Sequence, residues 1–286
     1  MKSIQKHSGI LLTALSGACF GMIPVFARMA YAAGTSTYTL LFLRFLTGAV
    51  FLLLLMTVKK VPFPSKREIL SYLLLGAVGY FGQSFCYFTA LKYTTSSVVA
   101  LLLYTYPAMV MLGSAVFFRE RITPLKILSL VLALSGAFLI VGSEFQSGWM
   151  GILLSVLCAV FYSIYILISS RVVKPGKGMQ SAAFIMAGVA AVYGVLACIE
   201  GFALPSRFSG YVGAVLLALV STALAFWTFF AGMEKIGPSA AALVSTTEPL
   251  VVVLSSVLIL SEPITLKIVI GGCLVLSALV VTALER

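Results

Sequence analysis

The residues able to do chemistry in this chain are few, and they sit in apolar surroundings. Glu248 is the single acid in the run Ser239–Leu260, and Pro249 follows it at once. A helix of that length crosses about 30 Å of hydrocarbon, where a charged side chain costs on the order of 2.5–3.5 kcal/mol. Such an acid needs a partner, a proton or water. Pro249 lacks an N–H, so the carbonyl of Ser245 one turn earlier is open to a ligand, a hydroxyl or water. Three roles for Glu248 follow: a proton carrier whose protonation competes with substrate occupancy, a counter-charge to a cationic substrate, or a structural acid that satisfies loosened backbone.

Arg44 is the second charge at depth, about six residues and hence about 9 Å into its apolar run. It can bind a substrate carboxylate, or snorkel and pair with helix carbonyls. Tyr80, Gln83 and Tyr87 share one helical face at i, i+3 and i+7, and Tyr162 and Tyr165 share another, opposite Phe20. Phe226 lies beside the second-half equivalents of the Tyr80 face, and Tyr104 and Thr246 adjoin the two proline-bearing segments. Pro24 breaks the first run and frees the carbonyl of Phe20. Buried tyrosine hydroxyls need partners, so several at membrane depth point to a polar-lined cavity. Interfacial belts and helix packing are the competing explanation, as close packing is for the Gly17/Gly21 pair.

The elements that must position these residues follow from composition. Hydrophobic residues make up 61% of the chain and charged ones 9%, too little polar surface for a water-soluble globule. The chain therefore reads as an all-α membrane protein. Ten apolar runs can be marked: Gly9–Tyr31, Tyr38–Val58, Ile69–Thr89, Ser97–Phe118, Leu125–Val141, Trp149–Ser170, Gln180–Ile199, Tyr211–Phe230, Ser239–Leu260 and Leu266–Leu284. The first imitates a signal peptide, but it is too long for one and has a counterpart deep in the chain. Loops between runs are short, so any chemistry must happen between helices. With the N-terminus in the cytoplasm, fourteen basic residues fall on that side and four on the other, which predicts cytoplasmic termini. The net charge of +11 is explained by these loop clusters, so no nucleic acid is expected as a partner.

An offset of 142 residues relates the two halves. Between Ser97 and Val141 it yields fourteen identities in forty-five positions, among them Thr105/Thr247, Pro107/Pro249, Glu120/Glu262 and Thr123/Thr265. Tyr106 stands where Glu248 stands in the later copy. Residues 1–143 and 144–286 thus read as two five-helix repeats, and because five is odd the second enters the membrane inverted. Thr123 is placed to cap the fifth helix ahead of Pro124, which predicts a tight hairpin. The aliphatic fifth and tenth helices are expected to face lipid or a second subunit, which leaves a homodimer open.

Several stretches resemble a known family. These are Tyr87 to Ser96, the proline-bearing fourth span closed by Arg119-Glu120-Arg121, Arg44-Phe45, and Thr247-Glu248-Pro249 leading to Ser261-Glu262-Pro263. They look like the repeats of EamA-type transporters of the drug/metabolite transporter superfamily. The Leu-Gly-Glu hairpin ending usual there appears as Phe-Arg-Glu and Leu-Ser-Glu. The resemblance implies ten helices in two inverted repeats and movement of small metabolites, often outward. The leading expectation is a secondary transporter in the cell membrane exporting a small organic metabolite, an amino acid among the options, with no cofactor. A membrane enzyme acting on a lipid-linked substrate is the alternative, weakened by the absence of aspartate and of intramembrane histidine. The five cysteines match no metal or disulfide spacing, and no Walker-type run is present.

Overall fold

Prolines and small polar residues punctuate the apolar runs, and helices start and stop at them. The computed structural model describes residues 2–90, 93, 99, 102–141, 148–248, 250–251, 254–255, 259 and 266–284. The helices are α1 (Lys2–Gly21), α2 (Ile23–Tyr31), α3 (Thr37–Val58), α4 (Lys66–Leu74), α5 (Phe81–Ala90), α6 (Tyr106–Phe118), α7 (Pro124–Val141), α8 (Trp149–Val172), α9 (Gly178–Glu200), α10 (Phe208–Ala218), α11 (Ala225–Ser245) and α12 (Leu266–Leu284). π turns at Leu75–Tyr80 and Leu219–Leu224 join α4 to α5 and α10 to α11. No strand occurs among the described residues.

Pro24 stands in the first turn of α2, directly after the break at Met22. The Ser36 hydroxyl caps α3, Ser65 and Glu68 form a capping box on α4, and the Thr123 hydroxyl accepts from the Lys126 N–H at 3.2 Å. With Arg119 in the left-handed region at φ 56°, the chain turns between α6 and α7, but among the described residues the two helices do not pack on each other as the hairpin that the Thr-Pro signal predicts: α6 lies against α8 and α11, and α7 against α12. The expected cap at Thr265, the Ser261-Glu262-Pro263 turn, Lys92 and Pro249 lie outside the described residues.

α11 contains a sharp break. Gly237 has φ 80° and ψ 166°, a region essentially closed to side chains, and Pro238 follows it. Nothing lies within 4 Å of a Cβ built there, so a substitution would be penalised by backbone conformation alone. Gly237→Ala is expected to destabilise the protein by about 1–3 kcal/mol. Thermal unfolding in detergent reads this directly, and an unchanged midpoint would refute the strained turn.

Among the described residues, six helical segments are long and apolar enough to cross a bilayer: Gln5–Tyr31, Thr37–Val58, Lys66–Ala90, Trp149–Val172, Gly178–Glu200 and Phe208–Ser245. Three apolar helices are shorter, at Tyr106–Phe118, Pro124–Gly136 and Val269–Thr282. Helices in equivalent places of the two halves pack on each other, α3 against α9 and α7 against α12. The others exchange partners, with α1 on α11 and α8 on α5 and α6. The outer faces of α7 and α12 expose Leu128, Val131, Val269 and Leu276, as expected of helices facing lipid.

Candidate functional site

Tyr80 is the hub of an aromatic cluster between the halves. The first π turn ends on it, and its ring meets those of Phe226 at 4.8 Å, Tyr165 at 5.3 Å, Phe45 at 5.6 Å and Tyr162 at 6.4 Å. Phe20 reaches Phe226 at 5.7 Å, Tyr106 reaches Tyr162 at 4.7 Å, and Tyr162 stacks on Tyr165 at 6.2 Å. The edge-on contacts set ring edges against π faces, the favoured geometry for aromatic pairs.

Arg44 is buried, with 4% of its surface exposed, and it does not snorkel. Its Nε donates to Thr222 Oγ1 at 2.6 Å and its Nη2 to the Ser221 carbonyl at 3.2 Å, both in the second π turn. A π turn interrupts the regular helical ladder and leaves carbonyls available, which is what the guanidinium uses here. The Thr222 hydroxyl donates in turn to the Leu217 carbonyl at 2.8 Å, so its oxygen lone pairs face the guanidinium.

Glu248 is enclosed by protein yet keeps part of its surface accessible. It makes no ion pair with a described cation. Its carboxyl interacts electrostatically with Arg44 and with Tyr80, Tyr87, Tyr104, Tyr106 and Tyr162. Gly17 and Gly21 bring α1 against this segment. A Cβ at Gly17 would lie 2.5 Å from Thr247 Oγ1 and 3.4 Å from the Glu248 nitrogen, and one at Gly21 would lie 2.9 Å from the Glu248 carbonyl. The glycine pair is thus both a packing motif and the bed on which the acid-bearing segment rests.

The other expected residues divide. Tyr87 and Tyr162 are partly accessible beside Glu248, and Tyr104 is buried near it. The Tyr165 hydroxyl is buried without a hydrogen-bond partner. Gln83 is turned away, its amide on Cys158 Sγ at 3.5 Å. The Thr246 hydroxyl is spent on the Leu243 carbonyl at 2.6 Å, whereas the buried Thr247 hydroxyl has no partner. Pro24 contributes a helix break rather than a described contact. Missed from the sequence were Phe45, Ser221 and Tyr106, whose hydroxyl donates to the Ala242 carbonyl at 3.3 Å. Tyr106 carried a signal in its place opposite Glu248 in the repeat, and Phe45 in the Arg44-Phe45 pair of the family resemblance.

Beyond the cluster, Phe230 lies 6.3 Å from Phe226 and lines a cleft of about 400 Å³ with Phe118, Glu120, Arg171, Glu234 and Gly237. Around this cleft the halves are tied together: Glu68 pairs with Lys177 at 2.8 Å and Lys174 at 2.9 Å, and Ser239 donates to Glu120 at 2.7 Å, while within the second half Glu234 accepts from the Gly176 N–H at 2.8 Å. At the opposite end of the helices, Ser206 donates to the Ala33 carbonyl and Ala203 to Thr39 Oγ1.

Two opposite charges, held apart across aromatic faces, can bind an organic molecule at both poles. Comparison with known proteins agrees with a transport role. The EamA-like transporter family matches residues 7–142 and again 149–284. An uncharacterized transporter of Archaeoglobus fulgidus is 28% identical over 269 residues, 93% of each chain. The uncharacterized transporter YcbK of Bacillus subtilis is 23% identical over 280 residues, 93% of this chain and 90% of that one. The aromatic amino acid exporter YddG of Ancylobacter novellus is 28% identical over 167 residues, covering 56% of this chain and 57% of that one. A solved structure described only as the crystal structure of a protein shares the fold, with a TM-score of 0.83 over 96% of both chains at 20% identity. Matched along both halves and built of apolar helices, the chain is a multi-pass membrane transporter and belongs to the EamA-like transporter family of the drug/metabolite transporter superfamily.

Proposed function

We propose that the chain is a secondary transporter that exports a small organic metabolite across the cell membrane by alternating access. Residues 1–143 and 144–286 form two inverted five-helix repeats, ten spans in all, with both termini in the cytoplasm. The observation that carries this is the enclosed pair of charges, Arg44 and Glu248, set among tyrosines where α1, α3, α5, α8 and α11 converge. The exchanged packing of α1 on α11 and α8 on α5 and α6 supports the inverted arrangement. Export is supported by the cleft at Phe230, which opens among the basic loops, with the buried rings of Phe230 and Phe226 standing between it and the charges. The substrate waits in the cleft, passes the aromatic rings, and displaces or is displaced by a proton on Glu248.

The test is metabolite flux into inverted membrane vesicles, with and without a pH gradient. Flux of at least one small metabolite is expected to rise when the gradient is imposed. Glu248→Gln is expected to abolish that pH dependence, because the amide keeps shape but carries no titrating proton. Unchanged pH dependence in the variant would remove Glu248 from coupling. Absence of flux across a broad panel would defeat the transport reading.

A further inference from the structure

We infer that α1 and α11, one helix from each half, move together as a rigid arm hinged inside the membrane, and that the swing of this arm opens the cleft at Phe230. The inference rests on the transporter reading above and assigns its moving element. Three crossings of the chain are broken at one level. α1 stops at Met22 ahead of Pro24, α10 passes into α11 through the second π turn, and α11 ends in the turn at Thr246 and Thr247. Packing sets these breaks side by side. Ser16 of α1 donates to the Ala225 carbonyl, just past the π turn, at 2.7 Å, and a Cβ at Gly17 would lie 2.5 Å from Thr247 Oγ1. Helices bend at prolines and π turns because the regular ladder is already interrupted there.

On the cleft side of that level, α1 and α11 meet backbone against backbone. A Cβ at Gly232 would lie 2.9 Å from the Gly9 carbonyl, and one at Gly9 would lie 3.3 Å from the Gly232 carbonyl and 2.6 Å from the Ile236 side chain. Surfaces that close cannot slide past each other, so the two helices turn as one body. On the far side of the breaks, α2 lies equally close to α10, where a Cβ at Gly213 would lie 2.7 Å from the Phe26 carbonyl. The loops beyond are joined by the Ser206 N–H to the Ala33 carbonyl at 2.8 Å and the Ala203 N–H to Thr39 Oγ1 at 3.1 Å. That end is the fixed base.

The free end of the arm is fastened differently. Two hydrogen bonds cross the cleft from α11 to its neighbours: Ser239 donates to Glu120 after α6 at 2.7 Å, and Glu234 accepts from the Gly176 N–H after α8 at 2.8 Å. Bonds of this kind exchange for bonds to water at small net cost, so they act as a latch.

The experiment measures spin-label distances by double electron–electron resonance on the full-length protein in proteoliposomes, without any ligand. Cys198 and Cys273, which are exposed, are replaced by serine, and the buried Cys19, Cys86 and Cys158 are kept. Labelled cysteines replace three pairs of exposed residues: Gln5 with Arg121, Lys235 with Arg121, and Ser209 with Trp149. Ser239→Ala combined with Glu234→Ala breaks the latch. From Ala225 to Ile236 the arm is about 18 Å long, so a swing of about 15° carries its end about 5 Å. Breaking the latch is expected to lengthen both distances to Arg121 by about that much and to leave Ser209–Trp149 unchanged. A shift at Lys235 without one at Gln5 would separate α1 from α11 and overturn the arm. An equal shift at Ser209 would overturn the joint, and no shift at all would overturn the latch and the inference with it. A narrow, unchanged Ser209–Trp149 distance shows that the variant is folded; where the double variant unfolds, Ser239→Ala alone is read by the same criteria. None of these results bears on whether the chain transports, which the vesicle panel decides separately.

Discussion

Arg44→Met is expected to lower transport roughly 100-fold while leaving the protein folded in the membrane. The guanidinium is the positive pole of the site, and charged hydrogen bonds to a ligand contribute about 1.5–3 kcal/mol each. Methionine fills a similar volume without the charge, so the surrounding rings of Phe45 and Tyr80 keep a neighbour. The Ser221 carbonyl loses its donor, a modest stability penalty, while Thr222 keeps its bond to Leu217. Arg44→Lys is expected to recover little, because a single ammonium cannot bond Thr222, the π-turn carbonyl and a carboxylate in one plane. Flux and thermal unfolding measured on the same preparations separate the two effects. Near-normal flux in Arg44→Met would reduce the arginine to a structural plug of the π turn.

Gly76→Ala and Gly188→Ala are expected to have the largest effect on stability, about 3 kcal/mol each. Gly76 lies in the first π turn, where a Cβ would collide with the Ile185 carbonyl of α9. Gly188 lies on α9, where a Cβ would collide with the Leu73 carbonyl at the end of α4. In both cases the obstacle is backbone rather than the end of a flexible side chain, so relief requires the two helices to separate. That separation would also unseat Tyr193, which is buried on α9 with its hydroxyl 2.7 Å from Ser84 Oγ and its ring 6.2 Å from Phe45. Yield of monodisperse protein and its unfolding temperature measure the loss. Wild-type values for both variants would mean that α9 and the α4–α5 segment are farther apart than described.

Much of the site was legible because charge is rare in apolar sequence. Glu248 and Arg44 stand out on composition alone, and both lie inside among the tyrosines. Pro24 and the Thr123-Pro124 pair marked a helix break and a helix start that occur where expected. Periodicity placed Tyr80, Gln83 and Tyr87 on one face but could not say how that face turns after a π turn, which has no residue signature of its own. Gln83 accordingly rotates onto Cys158 while Tyr80 joins the rings. Thr246 and Thr247 are chemically alike, and only their positions at the end of α11 decide that one hydroxyl serves its own helix and the other is left unsatisfied. Length was the least legible quantity. Ten apolar runs can be counted, whereas six described helical segments reach spanning length and the one from Phe208 to Ser245 carries two of the runs across the Gly237 break.

The paired π turns are places where helix register can shift. Each keeps one surplus residue in its helix, and passing that surplus along by one position rotates every side chain it crosses by about 100° while disturbing few hydrogen bonds. Arg44 grips one of these dislocations at Ser221, and Tyr80 terminates the other. A cargo that drew the guanidinium away would leave the Ser221 carbonyl without its donor, so occupancy of the site would bear directly on the stability of the second π turn.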